Sequence, residues 1–357
     1  MTRIPAVYMR GGTSKGVFFH DRDLPPAGPE RDELLLRVMG SPDPLQIDGM
    51  GGTYSSTSKV VVVASTGPDS IEYWFAQIGI DEPVVDWSGN CGNLTSAVGP
   101  FAVDEGIVDV YEPVTVIRML NRNTGVTIEA RIEVSHGQAK TTGEHTVAGV
   151  PGTGAPVVTR YLDPAGSVFG ALLPTGNAID VLITEDGEIE ASIVDVAHPN
   201  LFVDGRAAGF GDEPPAPDEV GTHLIVRAER LRGAAAVLLG RASSIASARA
   251  ESPAVPRLVF VWPGGGDTEV RALGFSMQKP HRALPMTGAL CLAGAARTSG
   301  TVLRGLTDGD GKKVRIRHPK GISDVLVDRD VDGALVAVGV VRTARRIMDG
   351  GVYPLER

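Results

Sequence analysis

The sequence has few of the residues on which several common classes of protein depend. It contains 357 residues but only two cysteines, Cys91 and Cys291. Two thiols cannot form a disulfide framework, which favours a reducing compartment, and they are too few to hold an iron–sulfur cluster. Aromatic residues make up only 5% of the chain, whereas Gly contributes 45 and Pro 25 residues. This composition predicts a turn-rich protein with β-structure rather than a helical bundle.

Charge and hydropathy argue against two further classes. Lys and Arg total 34 against 43 Asp and Glu, a formal net charge of −9, so a basic surface for nucleic acid is not expected. No apolar run reaches the roughly 18 residues of a membrane span, and Met1 to Gly12 lacks the pattern of a secretory signal. We therefore expect a cytoplasmic protein without nucleic-acid or membrane partners. An anionic small molecule and a homo-oligomer stay compatible with the sequence.

The length predicts two domains, and the hydrophobic pattern predicts mixed strands and helices. Short β-branched or alternating runs predict strands at Ile4–Met9, Val17–His20, Val60–Ala64, Ile71–Ile80, Thr115–Val134, Ser167–Leu173, Asp180–Thr184, Arg257–Trp262, Val270–Gly274, Val314–Ile316, Asp324–Val327 and Ala334–Val341. Helical spacing predicts helices at Leu34–Met39, Leu94–Glu105, His223–Leu239 and Leu290–Arg297.

Two of the predicted helices begin alike. Cys91-Gly92-Asn93-Leu94 and Thr287-Gly288-Ala289-Leu290 each place a Gly before a helix rich in small residues. Each start would expose free N–H groups and the positive end of the helix dipole, which favour a carboxylate. Two such helices facing one cleft would hold a polycarboxylate without a metal. From this pair alone, internal duplication and coincidence both stay open.

Cys91 is a candidate acid or base, because the positive end of a helix favours its thiolate form. The alternative is a small buried hydrophobic residue, but its neighbours Asn90, Gly92 and Asn93 are not typical of a core. Cys291 lies among Leu290, Leu292 and Ala293, and we predict that it belongs to the core.

Lys59 is a second candidate, since it lies between the hydroxyl-rich segment 55–58 and the apolar run Val60–Val63. A partly desolvated Lys there would have a lowered pKa and could accept a proton. Composition alone favours the alternative, a solvated lysine at a strand end. A Schiff-base lysine for pyridoxal phosphate is a third option, but no accompanying pattern supports it.

The other motifs do not predict a cofactor or a metal. The glycine-rich segments 11–16 and 49–52 resemble anion-binding loops but match neither the P-loop nor the dinucleotide fingerprint. The histidines show no metal-ligand spacing, and no G-x-S-x-G elbow is present. We expect neither a cofactor nor a catalytic metal.

Long motifs across nearly the whole chain resemble the 2-methylaconitate cis–trans isomerase family (PrpF). They are MRGGTSKGVFF (9–19), GGTYSSTSKV (51–60), DWSGNCGNL (86–94), LLPTGN (172–177), DVAHP (195–199), TGA (287–289) and RTARR (342–346). The resemblance implies an α+β fold of the diaminopimelate-epimerase type, in which two similar lobes each wrap a β-barrel-like sheet around a central helix. The N-terminal lobe would span 1–186, completed by strands at about 334–357, and the C-terminal lobe 187–333.

The resemblance also implies a mechanism. Related epimerases use one cysteine per lobe, and Cys91 matches the first while Thr287 occupies the second position. It therefore implies Lys59 as the base, with Cys91 as its catalytic partner, acting on an unsaturated tricarboxylate without a cofactor. The substrate-binding residues would be Thr13, Ser14, Lys15, Ser56, Ser58, Asn90, Gly92, Asn93, Lys279, Thr287 and Gly288.

The identity of the reaction has alternatives at this stage. Cis–trans isomerisation of 2-methylaconitate, in propionate breakdown by the methylcitrate pathway, is favoured by segments 55–59 and 86–90. A 4-oxalomesaconate tautomerase and an aconitate or methylitaconate Δ-isomerase share the core motifs. An amino- or hydroxy-acid epimerase is disfavoured by Thr287. A carboxylate-binding protein without catalysis is a different class, and it would need neither Lys59 nor Cys91.

Overall fold

The computed structural model describes residues 3–276 and 279–355, and these form two compact units. One unit contains the chain up to Leu162 and again from Val341, and the other is Asp163–Val340. No helix in the described part of the chain is both long enough and apolar enough to span a membrane.

The first unit is built mainly from strands, with one helix on its surface and one in its centre. Its elements are β1 (Ile4–Gly11), β2 (Ser14–His20), α1 (Pro29–Met39), β3 (Lys59–Gly67), β4 (Ser70–Ile78), β5 (Val85–Asp86), α2 (Gly92–Asp104), β6 (Val114–Asn121), β7 (Thr127–Ser135), β8 (Gln138–Ala139) and β9 (Val157–Leu162).

The second unit contains the next elements along the chain. They are β10 (Asp180–Thr184), β11 (Gly187–Val196), β12 (His198–Asp204), α3 (Thr222–Leu238), α4 (Ala248–Glu251), β13 (Arg257–Gly265), β14 (Thr268–Ser276), β15 (Lys279–Pro280), α5 (Met286–Ala296), α6 (Val302–Leu306), β16 (Lys313–His318), β17 (Gly321–Arg329) and β18 (Leu335–Arg342). The chain re-enters the first unit at Val341, near the end of β18, and continues there in β19 (Ala344–Val352).

In the first unit the strands surround α2. Successive neighbours β19, β1, β2, β3, β4, β6, β7 and β9 pair antiparallel, except that β2–β3 and β4–β6 are parallel. The helix contacts strands from both ends of this series and buries all residues from Leu94 to Val103. Its small residues allow this close packing, since a Cβ atom on Gly99 would lie 2.8 Å from Cδ1 of Ile132. The opposite face of the sheet packs against α1 through Leu34, Leu35 and Val38.

The second unit repeats this topology strand by strand. Its neighbours β10, β11, β12, β13, β14, β16, β17 and β18 pair antiparallel, except that β12–β13 and β14–β16 are parallel. Helix α5 occupies the place of α2, and α3 follows β12 as α1 follows β2. The fold is therefore α+β with two similar halves, and duplication rather than coincidence explains the matching helix starts.

Two predictions about the second unit need correction. The expected boundary at residue 186 would cut the β10–β11 hairpin, in which Thr184 pairs with Gly187, so the units instead divide after Leu162. Of the C-terminal segment assigned to the first lobe, residues 356 and 357 lie outside the described residues.

The strand expected at Ser167–Leu173 is also wrong. There the backbone N–H groups of Val168 and Phe169 donate to the buried Asp195 carboxylate, at 2.7 and 2.8 Å, instead of to a neighbouring strand.

Candidate active site

Lys59 is buried at the first position of β3, with only 7% of its surface exposed. Its Nζ donates a hydrogen bond to Oε1 of Gln77 at 2.5 Å and lies 4.9 Å from the centre of the Phe75 ring. Burial lowers the pKa of Lys59 below its ordinary value, while the nearby Cys91 acts in the opposite direction. The structure thus shows a desolvated amine, not the solvated lysine that composition alone favours.

Cys91 is the residue that precedes α2, and it is half-buried. Its Sγ lies 3.8 Å from the hydroxyl oxygen of Ser14, a buried residue at the start of β2. Among the described residues no side chain caps this helix end, and its first turn contains no acidic residue. The first N–H groups of α2, at Gly92 and Asn93, therefore stay available for an anion.

The turn between β1 and β2 packs directly against the start of α2. Asn93 Nδ2 donates to the hydroxyl of Thr13 at 3.0 Å. A Cβ atom on Gly12, whose φ is +49°, would overlap the side-chain oxygen of Asn93, and one on Gly11 would overlap its backbone oxygen. These glycines let Thr13 and Ser14 reach the helix start, which explains the glycine-rich motif.

A network of buried hydroxyls fixes Asn90 just before Cys91. The amide oxygen of Asn90 accepts hydrogen bonds from the Tyr73 hydroxyl at 3.3 Å and from Thr95 Oγ1 at 3.1 Å. Burial raises the pKa of Tyr73 to about 12, so its hydroxyl stays a neutral donor. The network therefore positions the loop that carries Cys91.

Three other predicted binding residues have different surroundings. Ser56 is half-buried, and its carbonyl accepts the backbone N–H of Lys15 at 3.0 Å, which places it beside β2. The Lys15 side chain lies over the Tyr8 ring, 5.6 Å from its centre, and alternation along β2 directs it to the face opposite Ser14. Ser58 is fully buried and donates to the carbonyl of Ile78 at 3.1 Å. The Ser58 hydroxyl thus joins two neighbouring segments, and its contact with a substrate stays a prediction.

The predicted residues of the second unit lie at and near the start of α5. Thr287 is half-buried and Gly288 is buried, whereas Lys279 is exposed in β15. The Thr287 hydroxyl accepts a hydrogen bond from a guanidinium nitrogen of Arg257 at 2.8 Å. Helix α5 begins at Met286, so Thr287 is its second residue, whereas Cys91 precedes the first residue of α2.

Arg257 contacts the predicted binding residue Thr287, but sequence reasoning did not single it out. It begins β13, the strand parallel to β12, just as Lys59 begins β3, the strand parallel to β2. Burial alone lowers the pKa of Arg257, but a guanidinium keeps its charge, so this position holds a cation where the first unit holds an amine. Burial, followed by the charge of Arg257, lowers the pKa of the adjacent His198 to about 4. The sequence signal was a lone basic residue before an apolar strand, as at Lys59.

Comparison with solved structures and known sequences gives the class and then the family. A probable proline racemase from Agrobacterium radiobacter K84 matches 98% of this chain and 93% of its own with a TM-score of 0.53 at 13% identity, which shows a shared epimerase-like fold. The family model described as PrpF protein matches residues 1–354. The chain belongs to the PrpF family, and it is an isomerase.

Individual relatives match this chain over nearly their full lengths. The YraM protein of Bacillus subtilis (strain 168) is 43% identical, covering 99% of this chain and 98% of the relative. A 3-methylitaconate isomerase of Eubacterium barkeri is 41% identical over 98% and 97%, and a 2-methyl-aconitate isomerase of Cupriavidus necator is 38% identical over 98% and 96%. A solved methylitaconate-delta-isomerase superposes with a TM-score of 0.91 at 40% identity, covering 98% of this chain and 95% of that one.

Proposed function

We propose that this isomerase moves a proton in an unsaturated polycarboxylate of the aconitate type, with Lys59 as the base. The observation that carries the proposal is the buried Lys59 amine, which interacts with Cys91 at an uncapped helix start. An amine with a lowered pKa can remove a proton from carbon, and free N–H groups can stabilise the negative charge that results.

The proposed reaction begins at the carbon next to the double bond. Neutral Lys59 takes a proton from that allylic carbon, and the electron pair of the C–H bond forms a dienolate whose charge rests on a carboxylate oxygen. The former double bond is now single and can rotate. Return of the proton to the original carbon gives cis–trans isomerisation, whereas protonation at the far end of the diene shifts the double bond. Lys59 or Cys91 returns the proton, so atoms and electrons balance without a cofactor.

Donors at the start of α2 favour a carboxylate in this role. The N–H groups of Gly92 and Asn93, with the hydroxyls of Thr13 and Ser14, would hold it and stabilise the dienolate. Loss of one such donor typically costs roughly 3–4 kcal/mol in the transition state. Within the second unit, we assign Arg257 and Thr287 a carboxylate-binding role, because a half-buried guanidinium suits that group.

We give priority to two substrates, 2-methylaconitate and methylitaconate. Cis–trans isomerisation and the double-bond shift proceed through the same dienolate, so the proposed site could catalyse either. The motifs that favour 2-methylaconitate support cis–trans isomerisation. The identity of 41% to a 3-methylitaconate isomerase and the TM-score of 0.91 to a methylitaconate-delta-isomerase support a double-bond shift.

The test is to incubate the protein in deuterated water with a panel of acids and follow products and deuterium by NMR. The panel contains both isomers of 2-methylaconitate, methylitaconate, 4-oxalomesaconate and, as a control, the saturated tricarboxylate. We expect isomerisation of at least one unsaturated acid with deuterium entering its allylic position. If the protein bound these acids saturably but introduced deuterium into none of the unsaturated ones, the proposal would be contradicted and the protein would be a carboxylate-binding protein.

A further inference from the structure

We propose that Gln77 and Phe75 are positioning residues that hold the Lys59 amine in one orientation for proton transfer. This inference rests on the proposed role of Lys59 as the base. It assigns a task to two residues of β4 that have no reactive group of their own.

The strand register brings the three side chains together. Lys59 pairs with Gln77, and Val61 pairs with Phe75, across the antiparallel β3–β4 ladder. Alternation along each strand therefore places Lys59, Gln77 and Phe75 on the same face of the sheet, the face toward α2. Gln77 is the direct neighbour of Lys59, and Phe75 is the diagonal one.

The amide of Gln77 can present only its oxygen to the amine. Its Nε2 donates to the carbonyls of Ser58 at 2.8 Å and Ser55 at 3.1 Å, and these acceptors fix the direction of the amide. Oε1 consequently faces Nζ, at 2.5 Å. A neutral amine that donates one N–H to this oxygen has restricted rotation, so its lone pair keeps one direction.

The two groups also suit both protonation states of the amine. The Phe75 ring lies 4.9 Å from Nζ, where it excludes water from one side and attracts the ammonium that forms after proton transfer. The amide oxygen accepts from either form and carries no full charge. A carboxylate at the same place would instead hold the lysine protonated and unable to act as a base.

In the part of the chain that the structure describes, few other ionisable groups lie near this amine. Cys91 lies at the start of α2, and Tyr73 is on β4 with its hydroxyl bonded to Thr95 at 3.0 Å. Asp86 pairs with Gln77 on β5 and accepts the N–H of Ser88 at 2.8 Å, and the Lys15 side chain lies over Tyr8. Cys91 is the one whose interaction with Lys59 opposes the effect of burial. The substitutions at Gln77 and Phe75 remove none of these ionisable groups. A shift in the pH profile of a variant can therefore be attributed to the substituted side chain.

The experiment compares the pH dependence of kcat/KM in the wild type with that in Gln77→Glu, Gln77→Leu and Phe75→Leu, using the substrate found in the panel. Because the base must be neutral, the wild-type rate should rise with pH, with a midpoint below the ordinary lysine pKa of 10.5. Gln77→Glu should move that midpoint upward by about one to three units, so the rate lost at neutral pH returns at high pH. Gln77→Leu should lower kcat by about tenfold or more with little change in KM, since orientation is lost.

Two controls separate this inference from the proposed function. The exposed Gln138 receives the same change, and Gln138→Glu should leave the profile unaltered. Reductive methylation of Lys59, carried out at several pH values and read by peptide mapping, measures the titration of the amine without turnover. The pH dependence of this methylation should also shift in Gln77→Glu. If Lys59→Met abolishes turnover while folded Gln77→Glu keeps the wild-type profile and methylation rate, the inference is wrong and the proposed function stands. If Lys59→Met keeps full turnover, the proposed function fails and the inference fails with it, whatever the methylation shows.

Discussion

Cys91 and Ser14 meet where α2 begins, with the thiol sulfur 3.8 Å from the buried serine hydroxyl. Cys291, in contrast, is fully buried, donates to the carbonyl of Val194 at 3.2 Å, and has its pKa raised to about 12 by burial. The two thiols should therefore differ sharply in reactivity. Iodoacetamide should label Cys91 first, with loss of activity and protection by substrate, as read by peptide mapping.

Substitution of the two cysteines, Cys91 and Cys291, tests whether the Cys91 thiol is an essential acid. Cys91→Ser should lower turnover by about 10²–10⁴-fold if the thiol takes part in proton transfer. Cys291→Ala, the matched variant, should change stability and leave kcat near the wild-type value. Turnover in Cys91→Ser close to the wild-type value would remove the thiol from the mechanism and leave Lys59 as the sole proton carrier.

Gly12→Ala should damage the site through a single methyl group. The new Cβ would displace the Asn93 side chain and, with it, the start of α2. Displacement of about 1 Å at a reacting centre costs on the order of a hundredfold in rate. We expect a loss of kcat/KM of this size in a steady-state assay.

Gly106→Ala is the control for backbone strain. Gly106 has a similar φ of +63°, but apart from its chain neighbours no atom of the described residues lies within 4 Å of its Cβ position. This variant should lose about 1–2 kcal/mol of stability and keep its activity. Equal losses of activity in the two variants would show that strain, rather than contact with Asn93, explains the effect.

Arg257→Gln should weaken substrate binding more than it slows turnover. It removes the half-buried guanidinium that donates to Thr287 at 2.8 Å. Hydrogen bonds to charged groups contribute about 1.5–3 kcal/mol, so KM for a tricarboxylate should rise roughly ten- to a hundredfold. Arg206→Gln, which alters the exposed pair with Asp204 at the other end of β12, should leave KM unchanged. An unaltered KM in Arg257→Gln would exclude the assigned carboxylate.

His198 should make the stability of the protein depend on pH. Its folded-state pKa of about 4 lies below the ordinary value of 6.5, because burial and Arg257 disfavour its charge. The unfolded chain therefore binds a proton here that the folded protein does not. Stability is fully present above pH 6.5 and falls as the pH falls toward 4, by roughly 3 kcal/mol in all. Thermal unfolding of wild type and His198→Asn between pH 7 and 4 should show a smaller decrease in the variant, and equal decreases would contradict this.

Local patterns predicted individual elements well where one residue run determined them. The strand Asp180–Thr184 is observed as predicted, and the helix expected at His223–Leu239 is observed as Thr222–Leu238. The local pattern does not predict β19, which only the family resemblance placed among the strands at about 334–357, because its sequence ARRIMDGGV is polar and glycine-rich and is ordered by pairing with β1, more than 300 residues earlier. Such pairing is invisible in a local window.

The site shows the same division between local and long-range information. Lys59 and Cys91 lie beside recognisable local motifs. Gln77 acquires its place only from the β3–β4 register, and Arg257 acquires its place from the parallel β12–β13 pairing. The prediction for Ser58 rests on a motif rich in hydroxyls, whereas the partners of its own hydroxyl, Gln46 and Ile78, come from other segments and are invisible in that motif.

The most direct test of the account is solvent exchange in Lys59→Met. The substitution keeps an apolar chain beside Phe75 and removes the amine, and the exposed Lys140→Met in the same unit serves as control. Deuterium incorporation at the allylic position of the substrate should fall by about 10²–10⁴-fold in Lys59→Met and stay at the wild-type rate in Lys140→Met. A folded Lys59→Met protein that exchanges the allylic hydrogen at the wild-type rate would contradict the account.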